Sequence, residues 1–275
     1  MLTRRHLLRS VAGGTLAGFL LSATSARSEA AQQLRAQRLG WAGIRLQLGS
    51  TNVYIDPLEN SAVWGASLRE PLVPIDAPGQ DSFVLISHRH PDHCDSTAIA
   101  KLVGSNGALV TATGSCTVGP GIRILSGAVY EPQLLGDFTA TAVPAADGYG
   151  DPQVSWIVSG GGRRIIHCGD TLWHGSWWRL GRQHGPFDAA FLPINGARFG
   201  WRKPVSDVPA VLTPEQAVAA AVILGAKVLV PIHYGVAPSP EYTEVPDAPA
   251  RVLTEAKRRD VAVELLRPGE WLNWR

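Results

Sequence analysis

Short apolar runs that stop abruptly on carboxylate or imidazole side chains set the pattern of this chain. Phe83-Val84-Leu85-Ile86 is continuously apolar between polar neighbours and reads as a buried strand. Before it, Leu39 to Leu48 alternates loosely, Gly49-Ser50 predicts a hairpin turn, and Val53-Tyr54-Ile55 predicts a second strand ended by Asp56-Pro57. Residues 58–80 are rich in Pro and Gly, contain Trp64 and predict a long functional loop. After the apolar run, Asp95 or Ser96 caps a short helix through Leu102 that stops at Gly104. Further strands are predicted at 108–113, 121–125, 137–143, 153–159 and 163–167, with another ending at Phe191-Leu192-Pro193-Ile194. Thr213-Pro214-Glu215-Gln216 opens a helix with a threonine cap, proline at its first position and glutamine closing a capping box. That helix runs to Leu224 and stops at Gly225. A strand from Lys227 to Ile232, a helix over 249–259 and a strand over 261–266 complete the chain. Many strands with few helices between them predict an α/β protein of two sheets with helices packed outside.

The chemistry concentrates where the strand 83–86 ends. Ser87-His88-Arg89-His90-Pro91-Asp92-His93-Cys94-Asp95 carries three imidazoles and a carboxylate within six positions. These are ligands that divalent zinc, manganese and iron accept. His88 and His90 are two apart, so near-extended backbone turns both toward one metal. Pro91 stiffens the turn that follows and aims Asp92 and His93 at a second. One loop cannot complete two metal shells, so later strand ends must contribute. Asp170 follows Ile165-Ile166-His167-Cys168-Gly169, and its two carboxylate oxygens can bridge two cations. His233 follows Val228 to Ile232, and Asp147 follows Val143-Pro144-Ala145-Ala146. Taken singly, an aspartate beside glycine is an ordinary turn residue and a histidine at a strand end is ordinarily hydrogen-bonded. Their weight comes from combination with the first loop.

Composition narrows the setting. With 275 residues and 45% hydrophobic content, the chain can bury one large domain or two halves sharing a core. Residues 1–30 hold Arg4, Arg5, Arg9 and Arg27 against Glu29 alone, and the remainder carries 21 basic and 22 acidic residues, a net charge of −1. A near-neutral body gives no electrostatic case for nucleic acid. Thr3-Arg4-Arg5-His6-Leu7-Leu8-Arg9, the apolar run Val11 to Ala23 and the small residues after it resemble a twin-arginine export signal. The expectation is a signal over 1–30, one domain over 31–275, recognition by the twin-arginine export machinery, and a periplasmic or secreted protein with no stable membrane span in its mature form. An uncleaved N-terminal anchor is the alternative. Cys94, Cys116 and Cys168 form no CxxC pair, so no disulfide framework is indicated, and Cys116 reads as a small buried apolar residue.

Several segments together resemble the metallo-β-lactamase-fold hydrolases across most of residues 38–270. They are Ile55-Asp56-Pro57, His88-Arg89-His90-Pro91-Asp92-His93, Val143-Pro144-Ala145, Gly169-Asp170-Thr171, Leu192-Pro193-Ile194, Thr213-Pro214-Glu215-Gln216-Ala217 and Pro231-Ile232-His233-Tyr234-Gly235. Within these hydrolases the chain looks like the branch of ascorbate-phosphate lactonases and N-acyl-phosphatidylethanolamine phospholipase D. The resemblance implies a four-layer αβ/βα sandwich with a dinuclear site at one edge of the sheets. It implies that His88 and His90 bind a first metal, that Asp92, His93 and His233 bind a second, and that Asp170 bridges them. Where that branch usually has a histidine as the third ligand of the first metal, this chain has Asp147. An aspartate there makes the first site harder and more anionic, moving a zinc preference toward manganese or iron. If Asp147 falls short, the first site is weak or empty, with His167, His174 or His184 as substitutes.

The expected cofactors are two divalent ions, zinc first and manganese or iron after it. Their bridging hydroxide would attack an ester, lactone, amide or phosphodiester, with Asp92 as the catalytic group that orients it and passes on its proton. The substrate is expected to be a small molecule. Trp64, Tyr149, Trp173, Trp177, Trp178, Trp201 and Tyr234 suggest an aromatic pocket, with core packing as the competing role for Trp173, Trp177 and Trp178. Arg198 and Arg202 are candidates to hold a phosphate or carboxylate, or are surface charges. Two other functions compete: an iron-dependent redox enzyme of the same fold, and a non-catalytic protein whose Asp147 marks a degenerate metal site.

Overall fold

The computed structural model describes residues 33–76, 79–114 and 116–274. The export-signal expectation for residues 1–30 lies outside the described residues. The first sheet is built from β1 (Arg35–Gly40), β2 (Gly43–Leu48), β3 (Thr51–Ile55), β4 (Ser82–Ile86), β5 (Leu109–Thr111) and β6 (Ile124–Ser126), in that spatial order. Pairing is antiparallel through β3 and parallel from β3 to β6. The helix α1 (Ser96–Leu102) lies between β4 and β5 in the chain. The second sheet contains β7 (Pro132–Leu135), β8 (Phe138–Pro144), β9 (Val154–Gly160) and β10 (Arg163–His167). After α2 (Trp177–His184) come its remaining members, β11 (Ala189–Pro193) and, beyond β12 (Arg198–Phe199) and α3 (Pro214–Leu224), β13 (Leu229–Ile232). Its order is β13-β11-β10-β9-β8-β7. The short β14 (Tyr242–Thr243) pairs with β12, and α4 (Ala248–Arg259) follows.

Strand alternation makes the layers. In β4, Phe83 and Leu85 point into the core between the sheets, while Val84 and Ile86 meet Ala98, Ile99 and Leu102 of α1. In β10, Ile165 joins the central core and Ile166 joins the outer cluster with α2, α3 and α4. The middle of each sheet is therefore buried on both faces, which explains why β4 reads as a continuous apolar run. The result is the expected four-layer αβ/βα sandwich.

Local signals set several element ends. Asp95 caps α1 by accepting from the Thr97 and Ala98 N–H groups. Thr213 and Gln216 form the capping box of α3, which ends on Gly225 in the left-handed region. Three expectations need correction. The segment 39–48 is two strands, because Gly40 (φ 147°) and Trp41 (φ 50°) turn the chain back on itself. The expected strand 261–266 reduces to a single parallel bridge, Leu229 to Val263. Cys94 and Cys116 are joined by a disulfide, and Cys168 alone is a free, buried thiol. The neighbouring parallel strands β4 and β5 bring the segments after them side by side, a closeness that sequence spacing does not reveal.

Candidate metal centre

Every proposed ligand leaves the C-terminal end of a strand or the loop just past it, the edge where open α/β sheets hold ligands. His88, His90, Asp92 and His93 follow β4, Asp147 follows β8, Asp170 follows β10 and His233 follows β13. The loop after β4 closes into a turn in which the His90 carbonyl accepts from the His93 and Cys94 N–H groups at 3.0 and 2.8 Å. This brings His93 back beside His88, their ring centroids 4.2 Å apart.

Two clusters result. His88, His90, Asp147 and Asp170 converge in one; Asp92, His93 and His233 converge in the other. His88 Nε2 and His90 Nδ1 are 2.9 Å apart, and Asp147 Oδ1 is 3.9 Å from His90 Nδ1. In the second, Asp92 Oδ2 is 3.7 Å from His93 Nε2 and 3.9 Å from His233 Nε2. Asp170 Oδ2 sits between the clusters, 3.7 Å from His88 Nε2 and 4.0 Å from both His93 Nε2 and His233 Nε2. Zinc–ligand bonds of about 2.0–2.1 Å place tetrahedral ligand atoms about 3.4 Å apart, so the separations of 3.7–4.0 Å leave room for an ion, while the His88–His90 pair, at hydrogen-bond distance, would have to open slightly around one. The fit is supported by buried atoms with no hydrogen-bond partner: His93 Nε2, His233 Nε2, Asp147 Oδ1 and Asp170 Oδ1. A polar atom buried in this way is costly unless something coordinates it.

The electrostatics point the same way. Burial and the neighbouring His93 push the His88 imidazole well below its usual value, and the same two causes act on His233, so both present neutral nitrogens. Burial raises Asp170, and burial with the nearby Asp170 charge raises Asp147. Burial opposes protonation of His93, but Asp92, Asp56 and Asp170 outweigh it and raise the ring to about 10. The centre thus collects more negative charge than its own groups neutralise, which a bound cation relieves.

Supporting groups fix the ring orientations. Asp56, buried at the end of β3, accepts from Ser87 N (2.7 Å) and Ser87 Oγ (2.6 Å), and pairs with His93 Nδ1 (2.9 Å). Burial opposes its ionisation, yet the His93 bond and the surrounding imidazoles hold it at about 2. Ser87 Oγ in turn meets His88 Nδ1 at 3.0 Å. Asp151 Oδ2 lies 3.0 Å from His90 Nε2, and its other oxygen accepts from Arg89 at 2.8 Å. Trp41 Nε1 donates to Asp92 Oδ2 at 3.1 Å. Carboxylates behind ligand imidazoles are the usual means of fixing tautomer and direction. Sequence reasoning gave Asp56, Asp151 and Trp41 no role. Asp56-Pro57 at a strand end and the Gly-Tyr-Gly spacer from Asp147 to Asp151 were the available signals.

Asp147 reaches the centre. Its Oδ2 accepts from the Tyr149 and Asp151 N–H groups, both at 2.9 Å, which leaves Oδ1 free to face His90. The substitute histidines stay away. His167 Nε2 meets the Ala42 carbonyl at 2.8 Å, His174 stacks on Trp177, and His184 stacks on Tyr130. A cavity of about 360 Å³ opens over the centre, and Trp64, Tyr149, Phe199 and Tyr242 line it. Trp201 packs against Tyr149 and Phe199, while Trp173, Trp177 and Tyr234 belong to the helical cluster. Arg198 donates to the Asp207 carbonyl, and Arg202 stacks over Tyr149. Phe199 and Tyr242 were not foreseen, because the small β12–β14 pair delivers them.

A two-sheet sandwich with paired His/Asp clusters at one strand edge defines the metallo-β-lactamase fold. A family profile described as Beta-lactamase superfamily domain matches residues 51–234, and the chain belongs to that superfamily. A "UPF0173 metal-dependent hydrolase" of Methanopyrus kandleri is 28% identical over 252 residues, covering 86% of this chain and 98% of the relative. An uncharacterized protein of Mycobacterium tuberculosis is 28% identical over 269 residues, covering 87% of this chain and 68% of the relative. Among solved structures, Igni18, described as a novel metallo hydrolase from Ignicoccus hospitalis, aligns with a TM-score of 0.61 at 17% identity, covering 88% of this chain and 99% of that one. The fold protein YhfI of Bacillus subtilis aligns with a TM-score of 0.62 at 17% identity, with the same coverage.

Proposed function

We propose that this chain, a metal-dependent hydrolase of the β-lactamase superfamily, holds two divalent cations and adds water across an ester, lactone, amide or phosphodiester bond. His88 Nε2, His90 Nδ1 and Asp147 Oδ1 would hold the first cation, and Asp92, His93 Nε2 and His233 Nε2 the second, with Asp170 shared. When bound, the pair supplies Lewis-acid chemistry and makes hydroxide from water near neutral pH. Asp92 is held by the Trp41 indole on one side and reaches the cavity on the other, so it can orient the attacking water and take its proton. Asp56, Ser87 and Asp151 keep the imidazoles aimed inward. The observation that carries this reading is the position of Asp170, one oxygen of which is within 4.0 Å of imidazole nitrogens from both clusters.

The test is metal analysis of the protein together with a hydrolysis screen of lactones, phosphodiesters and acyl amides. Two equivalents of metal with turnover, and an Asp92→Ala variant that keeps its fold but loses turnover, are the expected results. Less than one equivalent with no turnover would instead establish the non-catalytic reading. Bound iron with oxygen consumption would establish the redox one.

The proposal includes export through the twin-arginine route to the periplasm or beyond. The paired arginines Arg4-Arg5 support it, as does the Cys94–Cys116 disulfide, a bond that persists in oxidising compartments. A reporter fused to residues 1–35 that stays in the cytoplasm would refute this part alone.

A further inference from the structure

Aromatic rings line the cavity over the centre and continue behind it. From His233, aromatic rings follow one another through Trp41 (centroids 4.0 Å apart), Trp64 (4.9 Å), Tyr242 (5.1 Å), Phe199 (6.0 Å) and Tyr149 (4.7 Å) to His90 (4.6 Å). His88 and His93 complete the circuit back to His233, with centroids 4.4, 4.2 and 5.2 Å apart. The centre is thus ringed by π-systems that come from separate segments of the chain, at 41, 64, 88–93, 149, 199, 233 and 242. The rest of the described wall is largely aliphatic, including Val63 and Val211.

Charge is distributed as distinctively. Among the described residues lining the cavity, none is lysine or arginine. Arg202 lies over the Tyr149 ring at 4.3 Å and donates to the Tyr149 carbonyl. Arg89 is engaged by Asp151. The donor set itself contains Asp92, Asp147 and Asp170, which offset three of the four charges that two divalent cations bring. A phosphodiester keeps its negative charge at every working pH, and sites for such groups ordinarily supply arginine forks or lysines. This wall offers neither. It offers stacking surface, which favours flat unsaturated groups by edge and face contacts beyond their area alone.

We infer that the substrate is a neutral carboxylic acyl compound, a lactone, ester or amide, that carries an aromatic or comparably flat group seated against Trp64, Tyr242 and Phe199. This rests on the hydrolytic reading above and narrows it. Water adds to the acyl carbon, the acyl bond to the leaving oxygen or nitrogen breaks, and one proton passes to that leaving atom; an ester gives a carboxylic acid and an alcohol, an amide an acid and an amine, and a lactone a single hydroxy acid. No other reactant is needed.

The experiment compares three probes with the metal-loaded enzyme: a phenyl-substituted lactone, its cyclohexyl counterpart, and bis(4-nitrophenyl) phosphate. The phenyl lactone is expected to exceed the cyclohexyl lactone in kcat/KM by about tenfold, with the phosphodiester below both. Trp64→Leu and Phe199→Leu should each raise KM for both lactones, by a much larger factor for the phenyl lactone, so that most of the phenyl preference is erased. A phosphodiester turned over at least as well as the phenyl lactone overturns the inference, as does equal damage to both lactones. If no probe is turned over, the hydrolytic reading has failed rather than this one. Binding then decides, by quenching of tryptophan fluorescence with phenyl- and cyclohexyl-substituted cyclopentanones. Tighter binding of the phenyl ketone, lost in Phe199→Leu, sustains the aromatic seat, and equal affinities refute it.

Discussion

Removing the Asp56 carboxylate tests whether the metal loop is held from behind. Three donors converge on it: the Ser87 N–H at 2.7 Å, the Ser87 hydroxyl at 2.6 Å and His93 Nδ1 at 2.9 Å, in a place with no solvent access. In Asp56→Ala all three lose their acceptor at once. A buried donor left without a partner costs about 1–3 kcal/mol, and breaking a buried ion pair from one side costs about 3–5 kcal/mol. The donors are neighbours, so the terms overlap, and the expected loss is about 3–5 kcal/mol in total. Urea unfolding of the metal-stripped protein measures it. Metal affinity should fall as well, by roughly 10–100-fold at the His93 side of the centre, because the ring is no longer turned inward. Competition with a chromogenic chelator reads that loss. A variant within 0.5 kcal/mol of the wild type, a scatter typical of surface substitutions, with unchanged metal affinity would refute the argument.

Two further outcomes follow from single contacts. Replacing both Cys94 and Cys116 by alanine removes a bond that closes a loop of 22 residues, so unfolding free energy should drop by about 3 kcal/mol under oxidising conditions and by little when the wild type is reduced first. Partial burial opposes ionisation of Asp188, but Lys227, the Arg164 N–H and Arg163 outweigh it and hold its carboxyl below the usual 3.8. Its stabilisation is present above that unfolded value and lost as pH falls through the folded one. Asp188→Asn should therefore cost up to about 1 kcal/mol at pH 7, where solvent screens the pair, and nothing once both proteins are titrated well below pH 3.8. A cost that persists in acid would mean packing, not charge, is responsible.

What the sequence disclosed and what it hid divide along a physical line. The fold was legible because central strands such as β4 and β11 are apolar on both faces and α3 carries its own start and stop signals at Thr213 and Gly225. The loop from Ser87 to Asp95 was legible because its chemistry is local. Asp147, Asp170 and His233 could be proposed because each ends an apolar run, and the structure draws them to one place. The groups left unassigned are those whose role depends on a distant partner. Asp56 acts on a residue 37 positions away and Asp151 on one 61 positions away. Trp41 sits where a continuous strand was expected, at a left-handed turn, and its indole donates to Asp92. The disulfide was hidden for the same reason, since only the parallel pairing of β4 with β5 makes its cysteines neighbours.

The aspartate at 147 belongs to its loop as much as to the metal centre. One oxygen is committed to the N–H groups of Tyr149 and Asp151, a turn that a short side chain closes onto its own backbone. That turn places Asp151 against His90 and Arg89, and it places the Tyr149 ring against His90. A histidine at 147 could not accept from both N–H groups in this way, because a neutral imidazole offers one acceptor lone pair where a single carboxylate oxygen here takes two donors. The residue that makes the first cluster acidic is thus the residue that shapes the aromatic side of the cavity. Asp147 thus lowers the positive charge of the centre and, through Tyr149, sets one side of the cavity, and both effects fit the neutral substrate proposed above.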